Sequence, residues 1–210
     1  MNLINIIKKD FVAYKKTWMF SLLYLLVFPL IIKNTNMNIM LITFVVYMVL
    51  GNAMAYDEKY KFDVFLGILP IKRKTVILSK MIELNLTYFV GSAILLIVGL
   101  LLSLNTNGSN IYKVMSFAEI AVGWVSVSMF CLFLFPIVYK FGYQKSRIVT
   151  IIIVAIAAAL AGAAIGASTA ILTLDEMQEK MLIIILSVSG IIIQLITYFL
   201  SKKIYLNKDF

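Results

Sequence analysis

A chain of 210 residues that is 62% hydrophobic and only 14% charged, with a mean hydropathy of +1.00, is far more apolar than a soluble domain, in which roughly a quarter of residues are charged. Its formal net charge of +9 rests on 19 Lys and Arg against 10 Asp and Glu, and in so apolar a chain this reads as charge asymmetry across a bilayer and not as a nucleic-acid interface. The absence of His removes the commonest general base and metal ligand, and the single cysteine, Cys131, allows no intrachain disulfide.

Residues 1–16 place Leu3, Ile7, Phe11 and Tyr14 at helical spacing, with Lys8, Lys9, Lys15 and Lys16 off that stripe, which predicts a helix lying in the membrane interface. No small-residue cleavage site follows Ile32, so a signal peptide fits poorly. Six apolar runs come next, at residues 17–32, 39–56, 84–104, 116–139, 148–174 and 181–201, each near the ~20 residues that cross a bilayer. The expected fold is therefore an all-α polytopic membrane protein, one transmembrane domain over residues 1–210. The first run is short and needs Trp18 and Lys33 as interfacial anchors. Glu119 is the one acid expected near the membrane interior, as an interfacial carboxylate or, less simply, as a substrate contact.

The connections alternate in charge. The N-terminal tail, residues 57–83, 140–147 and 202–210 carry 16 of the 19 Lys and Arg, and the three intervening connections carry the other 3. The positive-inside rule puts both termini and the long 57–83 connection in the cytoplasm. That connection is a charged island, and its Tyr60, Val64 and Phe65 recur at helical spacing beside Phe62, Leu66 and Leu69. Such a stretch must lie in water or at the interface. It reads either as a solvated loop or as a docking element for a soluble partner.

The run 148–174 is rich in small residues, and Ala158, Gly162 and Gly166 stand four apart, the spacing that lets helix backbones approach closely in lipid. That face serves packing within the bundle, a subunit interface or a smooth translocation wall. The chain holds no phosphate-binding loop, no Gly-x-Ser-x-Gly and no ligand-spaced carboxylate cluster. It has no visible means of hydrolysing a nucleotide, and no catalytic, cofactor-binding or metal-binding residue is assigned to it. Only two Arg against seventeen Lys, with many Ile and Asn, resembles the product of an AT-rich bacterial genome.

Two motifs carry a resemblance. Pro136-Ile137-Val138-Tyr139-Lys140-Phe141-Gly142-Tyr143-Gln144-Lys145-Ser146-Arg147 is one; Asp57, Lys61-Phe62-Asp63, Leu69-Pro70-Ile71, Arg73 and Ser79-Lys80 make the other. Together with six spans they resemble the membrane subunits of type-2 ABC exporters, and in particular the compact permeases of cytolytic or antimicrobial peptides such as the phenol-soluble modulin exporters of staphylococci. The resemblance implies two cytoplasmic coupling elements, Asp57–Pro70 and Phe141–Arg147, docking on a separate ABC ATPase that holds the ATP and Mg. In the first, Phe62, Phe65 and Leu66 would be apolar anchors, and Asp63, Lys72 and Arg73 rim charges. Lys145 and Arg147 would serve the second. It further implies a second permease subunit, identical or related, surrounding lipid, no nucleic acid, and a bacterial plasma-membrane location. The function so implied is export of a hydrophobic or amphipathic substrate. A non-transporting immunity or assembly partner, or the substrate-binding membrane subunit of an importer, are the alternatives.

The charge split yields a topology test. Single cysteines replacing Tyr60 or Gln144, in a Cys131→Ser background, should resist a membrane-impermeant maleimide in intact cells, and those replacing Asn107 or Gln178 should react. Labelling of the first pair in intact cells would overturn the assignment.

Overall fold

An uninterrupted apolar segment in lipid has to satisfy every backbone N–H and C=O internally, and a helix does so within one segment. The computed structural model describes residues 3–31, 38–62, 73–105, 114–152, 155–156 and 176–207, and every regular element among them is helical. The elements are α1 (Leu3–Ala13), α2 (Lys15–Ile31), α3 (Asn38–Lys59), α4 (Arg73–Asn105), α5 (Phe117–Phe141), α6 (residues 143–152) and α7 (Glu176–Leu206). Helices α3, α4, α5 and α7 are each long and apolar enough to cross a membrane, and α1 with α2, bent by 71°, makes a fifth span if the pair counts as one. The expected first span corresponds to α2, whose 17 residues are at the short end of what crosses a bilayer. Of the expected span 148–174, only residues 148–152 and 155–156 are described; Ala158, Gly162 and Gly166 lie outside.

Tyr14 is the corner between α1 and α2. Its N–H still bonds Asp10 O at 3.0 Å and its carbonyl accepts from Trp18 N at 3.0 Å, so Tyr14 keeps both of its own backbone bonds through the bend. The face that α1 buries is Ile6 and Asp10, followed by Tyr14, whereas Leu3 and Ile7 are half-buried and Phe11 is exposed. The expected stripe thus contributes only Tyr14, because its choice counted apolar residues alone and the true face includes an acid.

Helix α3 is the axis of the bundle. It buries Ile39, Ile42, Val46, Val49, Leu50 and Ala53 and packs on α2, α4 and α5. Helix α7 packs mainly along α5, and its remaining surface, including Ile184, Ile185, Val188, Ile191 and Leu195, stays exposed as a lipid-facing side does. Inside the apolar body one polar network joins three helices. Asn85 Nδ2 donates to Gln194 Oε1 at 3.0 Å, while Asn85 Oδ1 accepts from Gln194 Nε2 at 2.8 Å and from Trp124 Nε1 at 2.9 Å. Gln194 Nε2 also donates to Ser128 Oγ at 3.1 Å, so α4, α5 and α7 are linked by reciprocal hydrogen bonds where no water competes. At the start of α5, Ser116 and Glu119 cap each other: Glu119 N donates to Ser116 Oγ at 3.2 Å and Ser116 N to Glu119 Oε2 at 3.1 Å. Glu119 is therefore a capping carboxylate.

Close approach of α4 and α5 depends on Gly123. A Cβ there would lie 2.6 Å from the Tyr88 hydroxyl, which is buried and donates to Ile120 O at 2.6 Å. The Tyr88 ring is rigid and cannot step aside cheaply, so Gly123→Ala should lower stability by about 1–3 kcal/mol, the usual cost of overpacking a core. Gly91→Ala meets only Leu25 at 3.6 Å and Ile42 at 3.9 Å and should be tolerated. Thermal unfolding of the two variants in detergent checks this; equal melting would show that the α4–α5 contact is loose.

Candidate functional site

The lysine-rich end of the bundle gathers charge into its interior. Lys80, on the first turns of α4, is buried, and its ammonium bonds Asp10 Oδ2 of α1 at 2.9 Å and Asp57 Oδ2 of α3 at 2.7 Å. Lys9 repeats the bridge from the rim, 2.7 Å from Asp10 Oδ1 and 3.1 Å from Asp57 Oδ1. The Tyr14 hydroxyl lies within reach of Asp10 Oδ1 at 3.2 Å, Asp57 Oδ1 at 3.1 Å and the Ala53 carbonyl at 3.2 Å, and with one proton it can serve one of them at a time. Helix α1, the end of α3 and the start of α4 are thus tied at one point.

Just beyond this knot α3 ends. Lys61 turns the chain with a positive φ of 49°, donating its N–H to Glu58 O at 3.0 Å. Phe62 folds back against the core, with Lys9 Nζ 3.3 Å from the centroid of its ring. Opposite, α5 ends at Phe141, and Gly142 adopts φ 83° and ψ 160°, a conformation that side chains disfavour. Its N–H still bonds Val138 O at 2.8 Å. Glu58 closes the gap between the two endings: its Oε2 accepts from Gln144 N at 2.9 Å, and its carboxylate lies where a Cβ on residue 142 would stand, at 3.2 Å. Glycine at 142 is thus required by backbone and by contact alike. Ser146 then starts α6 firmly, its hydroxyl donating to Gly142 O at 2.6 Å. Tyr143 leans onto α3 at Gly51, where a Cβ would stand 3.2 Å from the phenol oxygen. Burial, with a smaller contribution from Tyr47, raises the Tyr143 phenol above its ordinary range, so it stays neutral.

A cavity of about 390 Å³ opens between the two endings, bounded by Asp57, Glu58 and Phe62 on one side and by Phe141, Gly142 and Lys145 on the other. Val76 and Lys80 of α4 reach it from behind. Phe141, Lys145 and Arg147 are exposed around it. Apolar rings next to lysines and a carboxylate suit the recognition of another protein's side chains. Among the described residues no group of His, Cys, Asp and Glu could hold a metal ion.

The structure therefore brings together Asp57 and Phe62 of the first expected coupling element with Phe141, Gly142 and Lys145 of the second, while Lys61 and Arg147 are exposed and do not line the cavity. Asp63, Phe65, Leu66, Pro70 and Lys72 lie outside the described residues, and Arg73 is described only as the first residue of α4. Two features differ from the sequence reading. Helix α3 runs on to Lys59 and α4 begins at Arg73, so the charged island is helical at both ends. Buried acids are also not confined to Glu119, since Asp10 and Glu83 are both nearly inaccessible. Sequence reasoning passed over Lys9, Asp10, Tyr14, Glu58 and Glu83 as site residues. For Asp10 a signal existed, its place midway between Ile6 and Tyr14 on one helical face.

A bundle of long apolar helices, open at one charged end, is a multi-pass membrane protein. Residues 5–206 match the family model described as ABC-2 family transporter protein, and the chain belongs to that family. Its members are membrane components of ABC transporters and not themselves ATPases, so this chain is an ABC transporter permease, as the motif resemblance implied at that level. No curated protein and no solved structure matches it.

Proposed function

We propose that this chain is the permease subunit of an ATP-driven exporter in a bacterial plasma membrane. It works with a second permease subunit and moves a hydrophobic or amphipathic substrate, such as a cytolytic or antimicrobial peptide, outward. The observation that carries the reading is the cavity flanked by Phe62 and Phe141, where the ends of α3 and α5 meet around the Glu58–Gln144 hydrogen bond. Glu58 and Gln144, 86 positions apart, are joined there by a hydrogen bond, so a push on either expected coupling segment would be felt by the other. The family as a whole implies an ABC ATPase partner, and this open, lysine-rimmed face is the surface that suits it. The ATP and Mg would sit on that partner. An apolar or amphipathic substrate is favoured because the polar groups Asn85, Trp124, Ser128 and Gln194 are bonded to one another.

Phe141 and Lys145 are exposed and take no part in the buried ion cluster, so they test the docking face without disturbing it. Phe141→Ala with Lys145→Glu should insert normally, yet recover at least about ten-fold less ATPase activity when the tagged chain is extracted in mild detergent, as loss of an apolar anchor entails. Inside-out vesicles bearing the variant should also lose ATP-dependent accumulation of a labelled amphipathic peptide. Full recovery of ATPase activity would remove this face from the docking surface, and accumulation only in right-side-out vesicles would reverse the direction.

A further inference from the structure

Acids and lysines do not balance in the buried cluster. Lys9 and Lys80 supply two positive charges, and both are engaged by the same two aspartates. Each oxygen of Asp10 and of Asp57 lies within 3.1 Å of one of these ammoniums: Oδ1 of both faces Lys9, and Oδ2 of both faces Lys80. Glu83, one turn along α4 from Lys80, is a third acid. It is 4% exposed, its Oε2 lies 3.8 Å from Lys80 Nζ, and neither of its oxygens has a hydrogen-bond partner. The groups that face it are Lys80 on its own helix, Asp10 and Tyr14 from α1, and Asp57 from α3. Asp10 stands close enough to exchange a hydrogen bond with it once either carboxyl holds a proton.

An ionised carboxylate buried beside another, with no donor of its own, is disfavoured relative to its neutral acid. We propose that Glu83 is a proton-binding site: it holds a proton in the folded protein, donates it in a hydrogen bond to the Asp10 carboxylate, and so brings the cluster of Asp10, Asp57, Glu83, Lys9 and Lys80 to zero net charge. The proton is taken from water and returned to it, with no other bond made or broken. Releasing it sets a second negative charge beside Asp10 and draws Lys80 away from the aspartates that tie α1 to the end of α3. Because the bound proton stabilises the folded state, that stability is present at low pH and is lost as pH rises through the titration of Glu83. Asp57 and Lys80 also line the cavity between α3 and α5, so the charge state of Glu83 reaches that surface. The site stands whether or not the ATPase docks there.

Infrared difference spectra of the full-length protein in lipid, taken between mildly acidic and alkaline pH, read the site directly. The wild type should lose a protonated-carboxyl C=O band as pH rises, and Glu83→Gln should lack that band. Asp10→Asn leaves two acids against two lysines, so Glu83 should ionise and the band should vanish at lower pH than in the wild type. This second variant decides the matter should Glu83→Gln fail to fold. A wild type without a titrating carboxyl band, a band retained in Glu83→Gln, or a band whose midpoint is unmoved in Asp10→Asn would each overturn the proposal.

Discussion

The ammonium of Lys80 is the point on which the charged end of this protein depends. It is 3% exposed and touches carboxylates of two other helices, at 2.9 Å to Asp10 and 2.7 Å to Asp57. A charge so buried is tolerated only when its partners surround it, and removing one side of such an arrangement typically costs ~3–5 kcal/mol because the other side is stranded. The constraint runs in both directions. Asp10 can lie on the buried face of α1, beside Ile6, because Lys80 and Lys9 meet it there.

From that point order spreads outward. Asp57 held by two lysines fixes the last turn of α3, and Glu58, its neighbour, is then aimed at the turn after α5, where it accepts from Gln144 N at 2.9 Å. Gly142 makes room for it. The cavity between the two helix ends is a consequence of these contacts, and its walls belong to segments far apart in the chain. In the membrane body the forces are different: close approach at Gly123 and reciprocal hydrogen bonds among Asn85, Gln194 and Trp124 hold helices that gain nothing from excluding water. The permease is thus assembled by packing in its middle and by charge at one end.

Much of the architecture was legible because membrane spans announce themselves through length and apolarity. The runs at 39–56, 84–104 and 181–201 lie within long helices, α3, α4 and α7, and the run at 116–139 lies within α5 but for Ser116, its cap. The two motifs that suggested coupling segments do meet, through Phe62 on one side and Phe141 and Gly142 on the other. What the sequence concealed was the buried charge. A stripe drawn through Leu3, Ile7 and Phe11 discards Asp10, since periodicity weighs apolar residues and treats an acid as outward-facing. Lys80 and Glu83 read only as the tail of the charged 57–83 connection, because their partner Asp10 is 70 and 73 positions away in α1 and no local pattern signals such a pairing. The Glu58–Gln144 bond is hidden for the same reason, by a separation of 86 residues.

The most direct measurement of this account is hydrogen exchange along α1 and the last turn of α3 in Lys80→Met, compared with wild type in the same lipid. Methionine keeps most of the unbranched apolar stem and removes the ammonium with its charge and its donors. Loss of the ammonium should leave Asp10 and Asp57 buried together without their shared cation. Amides of residues 3–13 and 55–62 should then exchange much faster, while those in the middle of α5 and α7, held by packing, keep their protection. Unchanged exchange in α1 and at the end of α3 would contradict the account, since the tie would then lie elsewhere and the buried lysine would be incidental.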